Sequence, residues 1–352
     1  MKNTKLRVGI TQGDINGISY EIILKTFIEP SIYDLCIPIV YGSSKIAAYY
    51  RKPIGMENFN FNLIRVPSEA NPKRANLINV LTDDFRAEPG IPTAMSGKAA
   101  LISLEKATDD LKKGLLDVLV TAPIHKQAMQ LAQFQFPGHT EYLQQKFGNA
   151  DVLMLMLSEN TRIGTLTGHI PIQEVGSKIK KEVICQKVKL LHTSLERDFG
   201  FNRPRIAVLG LNPHASDNGL MGKEEQTEII PAIKQLRDEK ILAMGPYPSD
   251  GFFGSLMYKK FDAVLSMYHD QGLIPFKILS FETGVNYTAG LPIVRTSPAH
   301  GTAYDIVNKN LADPSSFRHA LYEAVDIWNK REEFKEITKN PISHVHVESA
   351  NE

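Results

Sequence analysis

Arg205-Ile206-Ala207-Val208-Leu209-Gly210-Leu211-Asn212-Pro213-His214 is a near-continuous apolar run that ends on a polar turn. Its apolar side chains fall on both parities, so a strand built from it has no wet face, which suits a parallel sheet covered by helices on both sides. Asp117-Val118-Leu119-Val120-Thr121-Ala122-Pro123 reads the same way. Similar runs predict strands at Arg7–Thr11, Ile37–Tyr41, Val152–Leu157, Arg162–Thr167 and Ala263–Met267, with amphipathic helices between them, for instance Ser96–Lys113 and Lys178–Asp198. The alternation implies an α/β protein with helices on both faces of a mainly parallel sheet. Three runs lead straight into a histidine: His169, His214 and His269. Ligands of open parallel sheets bind beyond the carboxyl ends of the strands. Three of the ten histidines delivered to that edge predict a site for one divalent cation, for which imidazole is a good ligand when the ion is Zn, Co or Ni.

Composition narrows the setting. A chain of 352 residues has room for one large or two medium domains and needs no disulfide to hold its core. Lys and Arg number 40 against 39 Asp and Glu, so no long-range field gathers nucleic acid or anionic lipid, and an anion must be caught locally. Cys36 and Cys185 sit in apolar or helical stretches, as small hydrophobes do in a reducing compartment. The start of the chain enters a strand pattern at once, without the apolar stretch of a signal peptide, and no run is long enough to span a membrane. The expectation is a soluble, cytoplasmic protein with no nucleic-acid or membrane partner. Turn-rich breaks at Glu88–Gly97 and before Pro137 place one lobe at residues 1–135, joined by about 301–340, and a second at 136–300. The tail 341–352, with His344 and His346, reads as loosely held and exposed.

Several turns carry further chemistry. The first strand runs into Gly13-Asp14-Ile15-Asn16-Gly17-Ile18-Ser19-Tyr20-Glu21, which is not the G-x-G-x-x-G fingerprint, and no such fingerprint occurs elsewhere. The turn resembles the first loop of metal-dependent decarboxylating dehydrogenases, which bind NAD without it. In Phe136-Pro137-Gly138-His139-Thr140-Glu141, Thr140 is a good helix N-cap, and a helix N-terminus beside a histidine is a ready anion site. Lys277, Asn286 and Arg295 follow His269 through a loop-rich stretch, which suits capture of a phosphate or carboxylate.

Taken in order, TAPIHK, FPGHTE, TGHIP, LNPHA, MYHDQG, GVN, LPIVRTS and HGTA resemble the 4-hydroxythreonine-4-phosphate dehydrogenase family from about residue 7 to about residue 330. The resemblance implies a two-lobed α/β/α fold like that of isocitrate and isopropylmalate dehydrogenases. It further implies a divalent metal (Zn, Mg or Co) on His169, His214 and His269, and a phosphorylated substrate on His139, Thr140, Lys277, Asn286 and Arg295. NAD, or NADP in its place, would accept the hydride at residues the sequence does not reveal. Asp250 matches an aspartate near the family's site and joins Lys277 as a candidate acid or base. The family is homodimeric with its site at the subunit interface. The implied reaction is oxidative decarboxylation of 4-phosphooxy-L-threonine to 3-amino-2-oxopropyl phosphate, within pyridoxine 5'-phosphate biosynthesis. Three departures stand out: GDINGISYE in place of GEPAGIGPE, Ala299 in place of an aspartate before His300, and TGHIP in place of TTH-x-P. Rival readings are a sister dehydrogenase acting on a phosphorylated four-carbon sugar acid such as threonate or erythronate, a metal-dependent hydrolase, and a non-catalytic phosphometabolite-binding protein.

Overall fold

A computed structural model describes residues 5–148 and 151–339; the tail with His344 and His346 lies outside them. Among these residues twelve strands form one sheet: β1 (Leu6–Thr11), β2 (Cys36–Gly42), β3 (Asn62–Ile64), β4 (Asn76–Asn79), β5 (Val118–Thr121), β6 (Leu153–Ser158), β7 (Thr161–Thr165), β8 (Arg205–Leu209), β9 (Leu242–Tyr247), β10 (Ala263–Ser266), β11 (Val285–Ala289) and β12 (Arg295–Pro298). Their spatial order is β3-β4-β2-β1-β5-β12-β11-β6-β7-β10-β8-β9. Eight of the eleven pairings are parallel. The antiparallel ones join β12 to β11, β11 to β6 and β6 to β7 in mid-sheet.

All seven strands expected from apolar runs are present within about two residues of their predicted ends. Five more were not legible. Two of these, β11 and β12, correct the loop-rich reading of the segment after His269: Lys277 lies on the helix His269–Ser280, Asn286 on β11 and Arg295 on β12. Strand β12 reads Arg-Thr-Ser-Pro, yet all four residues are buried. Arg295 and Thr296 make their side-chain hydrogen bonds inside the protein, so no hydrophobic pattern betrays it.

The core is continuous along the sheet. Val8, Ile10, Val118, Val120, Leu155, Ile206 and Leu265 are wholly buried between flanking helices. Helix Ala94–Lys112 carries a capping box of Thr93 and Ser96, which satisfies two of the backbone donors a helix start leaves free. Helix Lys181–Phe199 ends at Gly200 in the left-handed conformation (φ 72°), where glycine avoids a Cβ clash. A buried ion pair ties that helix to the long C-terminal helix Ser315–Thr338: Arg331 Nε donates to Asp198 Oδ1 at 2.7 Å, and Tyr287 on β11 donates to Asp198 Oδ2 at 2.6 Å. The cluster anchors β11 and, with it, Asn286. Cys36 and Cys185 are free and buried. Among the described residues, no helix is long and apolar enough to cross a membrane.

Candidate active site

Strands β7, β10 and β8 are consecutive and parallel in the sheet. Their carboxyl ends therefore share an edge, and that edge carries His169, His269 and His214. Pairing continues past the strands proper: Leu166 N donates to Ser266 O at 2.8 Å, and Thr167 Oγ1 donates to Met267 O at 2.8 Å. This extension draws the His169 and His269 rings to 5.3 Å between centroids. His269 Nδ1 lies 2.7 Å from Asp270 Oδ1, which leaves Nε2 as its lone-pair nitrogen. His214 does not close the set within one chain: no group of three His, Cys, Asp or Glu side chains stands close enough to hold a metal among the described residues.

The His214 turn has an unusual backbone. Residues 214–218, none of them glycine, have φ between 43° and 69°. Each left-handed residue costs on the order of 1 kcal/mol, a strain met mostly at functional sites. Buried Glu225 braces the turn, its Oε1 accepting from the backbone N–H groups of Leu211 (2.7 Å) and Asn212 (2.8 Å) and its Oε2 from Asn212 Nδ2 (2.9 Å). Glu225→Ala strands all three donors, and we expect it to lower the melting temperature by about 3–4 °C, a loss of roughly 2–3 kcal/mol. An unchanged thermal melt would show that the turn holds itself.

Gln271 is a second brace that the sequence reading passed over. Its Nε2 donates to Gly210 O and to Ser249 Oγ, both at 2.6 Å, and its Oε1 accepts from Met267 N at 2.6 Å. It thereby staples the ends of β8 and β10 to the turn carrying Asp250. Asp250 itself is exposed in the first turn of the short helix Ser249–Gly254 and does not line the cavity that holds Arg295.

A cavity of about 660 Å³ is lined by residues of the central strands β5, β12, β11, β6 and β7 and collects His139, Thr140, His169, Asn286 and Arg295. Arg295 is 3% exposed. Its guanidinium donates to Thr121 Oγ1 (3.0 and 2.6 Å) and Thr288 Oγ1 (3.3 Å) and has no ion-pair partner among the described residues. Burial lowers its pKa to about 10, with Glu141 opposing the shift, so it stays charged at neutral pH. A buried charge without a counter-ion is costly, and this one has unused donor capacity towards an anion. His139 begins the helix His139–Lys146, capped by Gly138 rather than by Thr140 as expected; Thr140 is the second helical residue and faces the cavity. Burial, reinforced by the Arg295 charge, holds the His139 pKa well below the ordinary value. Its Nε2 and the Oδ1 of Asn286 are buried and find no partner among the described residues.

Lys277 is exposed and does not line this cavity. Lys126, Glu141, Lys187 and His300 line it and were not read as site residues. His300 and Lys126 fall in motifs already quoted, whereas Lys187 sits mid-helix with no local signal.

The comparisons with known proteins agree with this geometry. The family pattern described as "Pyridoxal phosphate biosynthetic protein PdxA" matches residues 34–324. The chain belongs to the PdxA family. It is 50% identical over 353 residues to the 4-hydroxythreonine-4-phosphate dehydrogenase of Bacteroides thetaiotaomicron, covering 100% of this chain and 97% of that one. A crystal structure of 4-hydroxythreonine-4-phosphate dehydrogenase from Klebsiella pneumoniae superimposes with a TM-score of 0.80 at 33% identity, covering 93% and 99% of the two chains. The D-threonate 4-phosphate dehydrogenase of Cupriavidus necator is 36% identical, with 92% and 98% covered. PdxA-family membership thus holds for a chain whose first loop reads GDINGISYE.

Proposed function

We propose that the protein catalyses NAD-dependent oxidative decarboxylation of 4-phosphooxy-L-threonine to 3-amino-2-oxopropyl phosphate, CO2 and NADH. The observation that carries this reading is the buried Arg295, which has no ion-pair partner among the described residues and lines the cavity beside a helix N-terminus and Thr140. That is a receptor for the substrate's phosphate. The 50% identity to a 4-hydroxythreonine-4-phosphate dehydrogenase favours this substrate. The sister activity on a phosphorylated sugar acid keeps the support of the 36% relative. NADH formation from 4-phosphooxy-L-threonine, compared with 4-phospho-D-threonate and with a chelator present, tests the reading. Turnover of the hydroxy acid alone would transfer it to the sister activity, and phosphate release without NAD would replace it with hydrolysis.

The donor chemistry at the strand ends fits a divalent cation, because His269 offers Nε2, His169 lies beside it and His214 ends the adjacent strand. A cation held by these imidazoles would supply Lewis acidity both for oxidation of the secondary alcohol and for loss of CO2, and a nicotinamide cofactor would accept the hydride. The chain's own groups bind and orient. Arg295 and the helix at His139 hold the phosphate, the threonines on either side of Arg295 fix its plane, and Asn286 presents a carbonyl to a donor on the substrate.

The active unit in this reading is a cytoplasmic homodimer. On the helix His269–Ser280, Ile274 is 58% and Ile278 79% exposed, and Phe281 just beyond the helix is 67% exposed. With Lys277 they form one stripe at helical spacing, and an apolar stripe of this kind is a surface to be covered. Covering it with a second copy would carry Lys277 from an exposed surface into an interface. Ile278→Asp should shift the protein from dimer to monomer by light scattering and cut turnover at least 10-fold. A monomeric wild type, or a variant that stays dimeric, would exclude this face.

A further inference from the structure

The sequence motif HGTA at residues 300–303 has no part in the phosphate or metal sites, yet His300 lines the same cavity as Arg295, Asn286 and Thr140. Its Nδ1 lies 3.0 Å from the Gly301 carbonyl. A carbonyl only accepts, so Nδ1 carries the proton and Nε2 holds the lone pair. Nε2 is buried and has no partner among the described residues. A buried acceptor left unmade costs about 1–3 kcal/mol, an expense met where a ligand supplies the missing partner. The loop is also fixed. Tyr304 donates to Asp14 Oδ2 at 2.7 Å and stacks on His125 at 4.7 Å, Ile18 N donates to Thr302 O at 3.1 Å, and Ala299 N donates to Ser316 Oγ at 3.0 Å. Here the unusual first loop acts, because Asp14 is the acceptor that ties Tyr304 down.

We propose that Nε2 of His300 accepts the proton of the substrate's secondary hydroxyl during oxidation. This rests on the dehydrogenase reading above. The C–H and O–H bonds of the carbinol break and a C=O bond forms; the C–H electron pair leaves as hydride to the nicotinamide, and the hydroxyl proton moves to Nε2. The carbon is oxidised, the nicotinamide is reduced and His300 becomes an imidazolium. Of the two other imidazoles of the cavity, His169 belongs to the strand-end cluster beside His269, and His139 is a worse acceptor because its imidazolium would face the buried Arg295 charge. At His300 burial disfavours the cation, but the Gly301 carbonyl and the Asp313 carboxylate favour it. Lys187 Nζ is committed to the Val152 carbonyl at 2.6 Å.

The test compares wild type with His300→Gln and His300→Ala, using 4-phosphooxy-L-threonine and NAD. Wild type that forms no NADH would defeat the dehydrogenase reading itself, before His300 is reached. With wild type active, the Gln variant should lose about 100-fold or more in kcat, with KM changed less than about 3-fold and metal content unchanged. Added imidazoles should restore the Ala variant in order of their basicity, which a structural role would not produce. In the protein free of metal and cofactor, nitrogen NMR should show His300 as the Nδ1–H tautomer. A raised KM with kcat intact would make His300 a binding residue, and the Nε2–H tautomer would remove its acceptor; either outcome overturns the proposal.

Discussion

Arg295→Met should reduce kcat/KM for the phosphorylated substrate by about 100- to 1000-fold, most of it as a rise in KM, with bound metal unchanged. The magnitude follows from charge-assisted hydrogen bonds to an anion, on the order of 3–4 kcal/mol for a two-pronged contact in a dry site. Methionine keeps the volume and removes a buried charge that folding must desolvate, so the free protein should be as stable as wild type or more so. Opposite signs on stability and activity distinguish a ligand receptor from a structural arginine. Arg295→Lys restores charge without the fork and should recover only part of the loss, since one ammonium cannot serve both Thr121 and an anion in the same geometry. Steady-state kinetics with a thermal melt check all three statements, and unaltered substrate kinetics in the Met variant would remove Arg295 from the site.

The second large effect is at the strand-end histidines. His214→Ala should abolish turnover, by about 1000-fold or more, and strip the divalent metal while the fold persists. His214 is exposed on a turn braced through Leu211 and Asn212, so its imidazole contributes little to the core. Elemental analysis, circular dichroism and NADH formation measured together check this. Near-normal activity without added metal would show that His214 is not a ligand. Because the three histidines do not converge within one chain, metal content should also fall in Ile278→Asp if the partner subunit completes the coordination. Full metal occupancy in that monomeric variant would confine the site to one chain.

The sequence legibly marks where strands end and which side chains stand there. Runs such as Arg205–Leu209 declare themselves because burial on both faces permits only apolar side chains, and the polar residue after them marks the turn. The helix at Ala94–Lys112 and the helix start at His139–Thr140 are local in the same sense. Strand β12 escaped notice because its arginine donates to threonines of β5 and β11 and its threonine donates to the Ala320 carbonyl, all inside the fold. Lys187 escaped because a cavity wall leaves no mark on helical periodicity.

What the sequence determined by itself was therefore a set of local facts: seven strands, their helices, and histidines at three strand ends. Tertiary structure alone decided that β10 inserts between β7 and β8, which seats His269 beside His169 rather than in chain order. It also decided that Arg295 meets Thr121, 174 residues away, and that, among the described residues, it forms no ion pair and Nε2 of His300 is left without a partner. Hydrophobic periodicity is a property of neighbours along the chain. Desolvation and hydrogen-bond satisfaction depend on neighbours in space, and the reactivity of this cavity arises from them.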